Sequence, residues 1–170
     1  MSCVVKQSMR RILRPWIFAS LASSVIMGQA IAADPGAATT SSSLRVRFCE
    51  TDLMGVVHHS NFLAYFEMGR VEWLRRRGVN YKDWTSRGLF LSVVEATVRY
   101  RAPAHFDDTL VVEANLIELR AASLRFAYRL GRESDLLAEG MTRLACIGGN
   151  HLPKRFPEDV LRVLLSAEDH

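Results

Sequence analysis

The chain has 170 residues, of which 24% are charged and 49% hydrophobic, and it carries a formal net charge of +4. A chain of this length can form one domain with a sizeable buried core. Its sequence pI of about 9.2 mostly reflects basic residues within the segment 1–40. The remainder lacks the basic stripe that nucleic-acid binding requires, so we expect no nucleic-acid partner.

Residues 1–40 differ in composition from the rest of the chain. Four basic residues precede an uncharged apolar segment at 16–27, an A-x-A cleavage sequence at 30–32, and a linker of small residues. This order is typical of a secretory signal peptide and is too short for a membrane span, so we expect no firm membrane contact. The alternative is translated sequence ahead of a later start. The protein is expected to be periplasmic or exported in the first case and cytoplasmic in the second, with the folded domain at 41–170.

Apolar residues alternate over 44–50, which predicts a strand. A short polar motif follows it: Asp52, then Gly55, then His59. Gly55 suits a tight turn, and the next residues begin a helix, whose first N–H groups lack intrahelical partners. A carboxylate just upstream can face the same space, as attack on a carbonyl polarised by those N–H groups requires. Asp52 also suits an Asx turn ahead of a glycine, so the motif alone leaves both interpretations open.

The longest predicted helix begins near residue 61. Its apolar stripe at helical spacing consists of Phe62, Phe66, Gly69 and Trp73. Ser60 or Asn61 is expected to cap the N-terminus with a side-chain oxygen, and Gly78 is expected to end the helix. The position of Gly69 in the stripe predicts close approach of another backbone. Arg70 lies beside the stripe and needs a carboxylate partner, for which Glu67 is a candidate.

Four further strands are predicted after a polar connection at 81–88. Their apolar residues alternate over 90–101, 110–119, 122–133 and 136–148. Short loops between the last three favour an antiparallel meander, and a short helix is predicted to start at Pro157. Cys49 and Cys146 fall in predicted strands, where we expect small buried side chains rather than a disulfide.

Together these elements predict an α+β fold in which a curved antiparallel sheet surrounds one long central helix. A single helix cannot cover a whole sheet, so an exposed edge or face is expected to pair with a second subunit. We therefore expect a homodimer or a homotetramer.

The segment TDLMGVVHHSNFLAYFEMGRVEWL resembles the 4-hydroxybenzoyl-CoA thioesterase family of the hotdog fold, and within it the acyl-CoA thioesterases associated with the Tol-Pal system. The matching positions are Asp52, Gly55, Val56, Val57, His59, Asn61 and Arg70. The segment VRYRAPAHFDDTLVV resembles the family's second strand, proline turn and third strand, and HLPKRFPEDV resembles its closing proline segment. The resemblance covers about residues 44–160. His58 and Phe62 depart from the family pattern, in which tyrosine is common at both positions, and this bears on substrate choice.

The resemblance implies hydrolysis of an acyl-CoA thioester at a site between two subunits. Asp52 matches the family's acidic catalytic residue, a nucleophile or general base. His59 matches the position whose backbone N–H polarises the thioester carbonyl, and its side chain is implicated as well. The expected substrate-binding residues are Gly55, Val57, Asn61, Phe62, Tyr65 and Phe66. No cofactor is expected, because CoA is part of the substrate.

Rings beside the helix start would fill much of the space that a long acyl chain needs, so we expect a short, medium or small aromatic acyl group. Two other functions remain open. One is an acyl-thioester hydratase or dehydratase of the same fold, which needs an acid–base pair beside the acyl α and β carbons. The other is an exported acyl-binding module without catalysis. No metal site is expected, since the adjacent His58 and His59 on a loop rarely reach one ion together.

Overall fold

The computed structural model describes residues 39–166. Its elements in chain order are β1 (Thr40–Arg45), a short 3₁₀ turn (Phe48–Glu50), α1 (Asn61–Arg76), α2 (Tyr81–Ser86), β2 (Leu89–Tyr100), β3 (Thr109–Arg120), β4 (Ser123–Arg132), β5 (Asp135–Gly148) and α3 (Glu158–Leu165). Residues 1–38 of the predicted leader and linker lie outside the described residues, so the leader stays a prediction; β1 begins at Thr40, the last residue of the predicted linker.

The five strands form one antiparallel sheet with the order β1-β3-β4-β5-β2. The successive strands β3, β4 and β5 form the predicted meander. β2 pairs with β5 along one side of the meander, and β1 pairs with β3 along the other. One sheet with one long helix confirms the predicted α+β fold class.

The helix α1 lies on one face of the sheet and buries its predicted stripe. Phe66 and Trp73 are fully buried. After the helix, Gly78 has a φ of +71°, a left-handed conformation that glycine adopts without strain. The N–H groups that follow the helix donate to the carbonyls of Arg75 and Leu74, both at 3.0 Å. This Schellman motif confirms the predicted end of the helix.

Two glycines let α1 and the sheet approach closely. A Cβ atom on Gly69 would lie 2.9 Å from Cγ2 of Val112 on β3. A Cβ atom on Gly140 of β5 would lie 2.6 Å from Cε2 of Phe66 and would also overlap the backbone oxygen of Thr97. Cβ atoms in folded proteins do not come this close to other heavy atoms. Gly69 therefore permits a close approach, as predicted, but the groups that meet the helix backbone there are side chains of β3 rather than another backbone.

A buried polar network lies beside this contact. Arg70 on α1 pairs with Glu67 at 3.5 Å, as predicted, and donates to the Tyr128 hydroxyl at 3.2 Å. The same hydroxyl bonds to Thr142 at 2.7 Å, and burial raises the pKa of Tyr128. These partners satisfy a guanidinium that would otherwise be costly to bury.

The strand predicted at 44–50 begins and ends earlier than expected. β1 ends at Arg45 because Arg45 pairs with Thr109, which is the first residue of its partner strand β3. The chain then turns through the 3₁₀ segment, which leaves Cys49 exposed rather than buried in a strand. Cys146 is buried in β5, as predicted.

Two predictions about helix termini are also corrected. Ser60 does not cap α1 through its side chain, because its hydroxyl bonds to Nδ1 of His58 at 2.8 Å. The Asn61 side chain instead donates to a carbonyl outside the helix. The polar connection at 81–88 contains α2, which Asn80 caps by accepting the N–H of Lys82 at 3.1 Å.

β2 is an uncovered edge of the sheet. Within residues 39–166 no strand pairs with its outer side. Val93 and Val94, beside a bulge in this strand, are 47% and 52% exposed. In this part of the chain no helix is both long and apolar enough for a membrane span.

Replacing Gly140 with alanine should destabilise the fold by about 1–3 kcal/mol, because the new methyl group would overlap the Phe66 ring and the Thr97 carbonyl. Gly149→Ala is the matched control, since nothing lies within 4 Å of a Cβ atom there. Its effect should stay within about 0.5 kcal/mol. Urea titrations at one protein concentration give both free energies of unfolding. Equal stability of the two variants would contradict a tight helix–sheet contact.

Candidate active site

The segment between the 3₁₀ turn and α1 forms a narrow hairpin over residues 51–57. The N–H of Asp52 donates to the carbonyl of Val56, and the N–H of Gly55 donates back to the carbonyl of Asp52, both at 2.9 Å. Gly55 has a φ of +75°, so the turn predicted here requires glycine. The N–H of Val57 donates to Ala104 at 2.8 Å and docks the hairpin on the segment that follows β2.

Asp52 is half-buried at the first corner of this hairpin. Its Oδ1 accepts the N–H of Met54 at 2.8 Å, so the Asx turn that the sequence left open is present. Its second carboxylate oxygen accepts no hydrogen bond from the described residues. The turn therefore orients the carboxylate and leaves one oxygen able to act on a bound molecule.

The backbone N–H of His59 has no hydrogen-bond partner within residues 39–166. The carbonyl of the same residue is held by two donors, the Tyr100 hydroxyl at 3.0 Å and the N–H of Phe62 at 3.4 Å. A free N–H at the start of a helix lies at the positive end of the helix dipole. It is the kind of group that stabilises an oxygen on which negative charge develops.

The side chains of His58 and His59 are exposed, with ring centroids 4.1 Å apart. His58 is held by its bond to Ser60. The His59 imidazole makes no hydrogen bond with any described residue, so it is available to a ligand. Among residues 39–166, no group of three His, Cys, Asp or Glu side chains is placed to hold a metal ion.

No sequence pattern assigned Glu50 a role, yet it is the polar centre of this region and is only 6% exposed. Its Oε2 accepts the N–H of Arg47 at 2.7 Å and the hydroxyl of Tyr65 at 2.9 Å. Its Oε1 accepts the Arg47 guanidinium at 2.8 and 3.0 Å. Its carbonyl accepts the His58 N–H and the Asn61 side chain, both at 2.8 Å.

These bonds also decide the charge state of Glu50. Burial by itself raises the pKa of the carboxyl, but the hydrogen bonds from Arg47 and Tyr65 outweigh it and hold the pKa below its ordinary value. The carboxylate thus stays ionised inside the protein. In the sequence, Glu50 could have been noticed because it is an acid in phase with the apolar residues of the alternation over 44–50, where an inward side chain is expected.

Tyr100 is a second residue that sequence reasoning did not place in the site. It ends β2, where its ring meets Phe62 edge-on at 5.1 Å and its hydroxyl bonds to His59. Its alternating position predicted an inward side chain, but nothing local indicated that the helix start lies there. Through Tyr100, the uncovered edge strand contacts the backbone beside the free N–H.

The structure separates the expected substrate-binding residues into two groups. Gly55 is exposed in the hairpin turn, and Asn61 is half-buried beneath it. The four others are buried in the subunit core: Val57, Phe62, Tyr65 and Phe66. This second group forms the inner side of the site, with no open surface of its own, and its contact with substrate stays a prediction.

This arrangement has the parts that acyl transfer to water needs. A carboxylate oxygen on the hairpin and a backbone N–H two residues beyond it both lack partners among the described residues. The carboxylate is able to take a proton from water or attack a carbonyl carbon, while the N–H is able to stabilise the oxyanion.

Comparison with known proteins points to the same chemistry. The family profile of the thioesterase-like superfamily matches residues 46–164. The acyl-CoA thioesterase YbgC of Haemophilus influenzae is 33% identical over 124 residues, which cover 71% of this chain and 90% of that protein. The acyl-CoA thioester hydrolase YbgC of Escherichia coli O6:H1 is 30% identical over 120 residues, covering 69% and 90%. The crystal structure of the hypothetical protein TT1821 from Thermus thermophilus is 45% identical with a TM-score of 0.71, covering 73% of this chain and 95% of that chain.

The matched region contains the whole hairpin with Asp52, the helix α1 and the four strands that follow it. The resemblance that the motif predicted is therefore confirmed over most of the described residues. The chain belongs to the thioesterase-like superfamily, has its hotdog fold, and is a thioester hydrolase.

Proposed function

We propose that the chain hydrolyses acyl-CoA thioesters, with Asp52 as general base or nucleophile and the His59 N–H as oxyanion donor. The observation that carries this proposal is the pair of unpartnered groups, the Asp52 carboxylate oxygen on the hairpin and the His59 N–H just after it. The two YbgC relatives support the substrate class, because both are described as acting on acyl-CoA thioesters.

In the proposed reaction, the thioester carbonyl oxygen accepts a hydrogen bond from the His59 N–H. Asp52 either removes a proton from water as that water attacks the carbonyl carbon, or attacks this carbon itself to form an anhydride that water then hydrolyses. In both routes the C–S bond breaks, CoA leaves as a thiolate that takes up a proton, and the free acid is released. The negative charge of the tetrahedral intermediate develops beside the helix start, where the dipole also favours it.

The packing behind the site favours small acyl groups. Phe62 is 3% exposed and Phe66 is fully buried, so the space directly behind the helix start is already filled. An acyl chain that enters from the hairpin side meets these rings rather than a deep cavity. We infer a preference for short, medium or small aromatic acyl groups.

A second subunit is part of this proposal. Two shallow grooves of about 540 and 600 Å³ lie beside β1 and α2, and neither includes Asp52 or His59. His59 is exposed and Asp52 is half-buried, so the site of one subunit is open to solvent. The unpaired outer side of β2 ends at Tyr100, next to the hairpin, so a subunit that pairs with β2 would help to enclose the site.

Asp52→Asn should lower the rate of acyl-CoA hydrolysis by about 10²–10⁴-fold, because an amide serves neither as base nor as anionic nucleophile. The Asn side chain keeps an oxygen that accepts the Met54 N–H, so the fold should persist. Asp83→Asn, an exposed change on α2, is the matched control and should keep full activity. Release of free CoA thiol measures the rate, and circular dichroism checks folding. Full activity in a folded Asp52→Asn protein would contradict the assignment of Asp52 as general base or nucleophile.

The protein should sediment as a dimer or a dimer of dimers at micromolar concentration, because β2 leaves backbone groups and valine side chains uncovered. Val94→Glu should weaken this association by placing charge at the edge strand. Ile117→Glu on β3 is the control, since Ile117 is also exposed but lies away from that edge. A stable wild-type monomer would contradict the two-subunit site.

A kcat/KM series over acetyl-, butyryl-, octanoyl-, palmitoyl- and benzoyl-CoA should peak below palmitoyl-CoA, because buried rings close the space behind the helix start. All five acyl-CoA substrates are tested with the full chain and the same thiol-release assay. A clear maximum at palmitoyl-CoA would refute the size argument. A folded protein that turns over none of them would favour the acyl-binding module instead.

A further inference from the structure

Glu50 is a buried acid that the proposed reaction does not use. Both oxygens of its carboxylate are occupied by Arg47 and Tyr65. The side chain is only 8% exposed. Neither oxygen is free to take a proton from water or to bind a ligand. Any role of Glu50 in the site must act through the residues that it holds.

Glu50 ties the first end of the hairpin to the helix and joins the two ends of the hairpin to each other. The 2.9 Å bond to the Tyr65 hydroxyl ties the 3₁₀ turn to the early part of α1. The Glu50 carbonyl holds the N–H of His58 at 2.8 Å at the far end of the hairpin. Asp52 follows Glu50 by two residues, and His59 directly follows His58. Movement of Glu50 relative to α1 would therefore displace Asp52 relative to His59, which lies just before the start of that helix.

We propose that the hydrogen bond between the Glu50 carboxylate and the Tyr65 hydroxyl is a positioning contact that sets the separation of the Asp52 carboxylate from the His59 N–H. This inference rests on the proposed function, since a rate effect requires that these two groups act on one substrate. Rates depend steeply on such geometry: a misplacement of about 1 Å lowers them on the order of 100-fold. Glu50 and Tyr65 are thus positioning residues that need not touch substrate.

Tyr128 provides a matched comparison within the same core. Its hydroxyl is also buried and bonded, to Thr142 at 2.7 Å and to Arg70 at 3.2 Å. None of these partners belongs to the hairpin or to the 3₁₀ turn. Tyr→Phe at either position removes one buried hydroxyl and keeps the ring, but only the change at Tyr65 loosens the hairpin.

The experiment compares full-length wild type, Tyr65→Phe and Tyr128→Phe with the best substrate of the acyl-CoA series. Tyr65→Phe should lower kcat about tenfold and leave KM within about twofold, because geometry is lost rather than uniform binding. Amide hydrogen exchange over residues 50–61 should be faster in this variant. Tyr128→Phe should keep the wild-type kcat and the wild-type exchange in this segment, even where its thermal stability falls as much.

An unchanged kcat in Tyr65→Phe, or an equal loss in Tyr128→Phe, would overturn the proposal. Glu50→Gln should also lower kcat, and this variant replaces Tyr65→Phe in the experiment if Tyr65→Phe does not fold. Tyr81→Phe replaces the control if Tyr128→Phe does not fold, since the Tyr81 hydroxyl accepts the Leu91 N–H at 3.0 Å, away from the hairpin.

The failure of this proposal is distinguishable from failure of the proposed function. A folded wild type that hydrolyses no thioester removes the proposed function, and hydrogen exchange then still tests the contact. Exchange over residues 50–61 that is equally slow in wild type and Tyr65→Phe would show that the hydroxyl does not brace the hairpin, and would overturn the positioning role by itself.

Discussion

The close packing of α1 against the sheet is the constraint on which the rest of this structure depends. Gly69 meets the Val112 side chain of β3, and Gly140 of β5 meets the Phe66 ring of the helix, so at each of these contacts a glycine makes room for a side chain of the other layer. Such contacts fix the direction of the helix as well as its distance, because a packed interface tolerates few other arrangements. The helix start is thereby directed to the end of β2, where Tyr100 reaches it.

The hairpin over residues 51–57 is held differently, mainly by polar contacts. Leu53 and Met54 at its tip are fully or largely exposed, so burial contributes little to its position. Its two ends are instead tied to the helix and the sheet through Glu50 and Tyr100. Hydrogen bonds are directional, so they can place the groups of an exposed segment accurately.

The same architecture leaves an edge of the sheet next to the candidate site. One long helix covers one face of a five-stranded sheet, and the strand order leaves β2 at an edge next to the helix start. An edge strand with free backbone groups and exposed valines is a surface that proteins normally pair or cover. The contact between Tyr100 and His59 brings this edge next to the unpartnered N–H, so the edge strand and the candidate site share one region of the fold.

The sequence by itself determined what depends on local periodicity and on one continuous motif. The run predicted at 110–119 is the strand Thr109–Arg120, and the stripe on α1 and its end at Gly78 were predicted correctly. Alternation with a period of two and an apolar stripe at helical spacing follow from backbone geometry, so neighbouring residues are enough to identify them. Asp52 and His59 could be predicted as site residues for a related reason, since both belong to a single uninterrupted segment.

Only the tertiary structure decided which distant residues meet around that segment. β1 contains three successive serines and no apolar alternation, so its extended form depends on pairing with β3. The bond from Tyr65 to Glu50 spans 15 positions, and the bond from Tyr100 to His59 spans 41. Such pairings follow from strand order and from the direction of α1 across the sheet. Neither hydrogen bond can be predicted from the local sequence, because each depends on which distant residues lie close together in the folded chain.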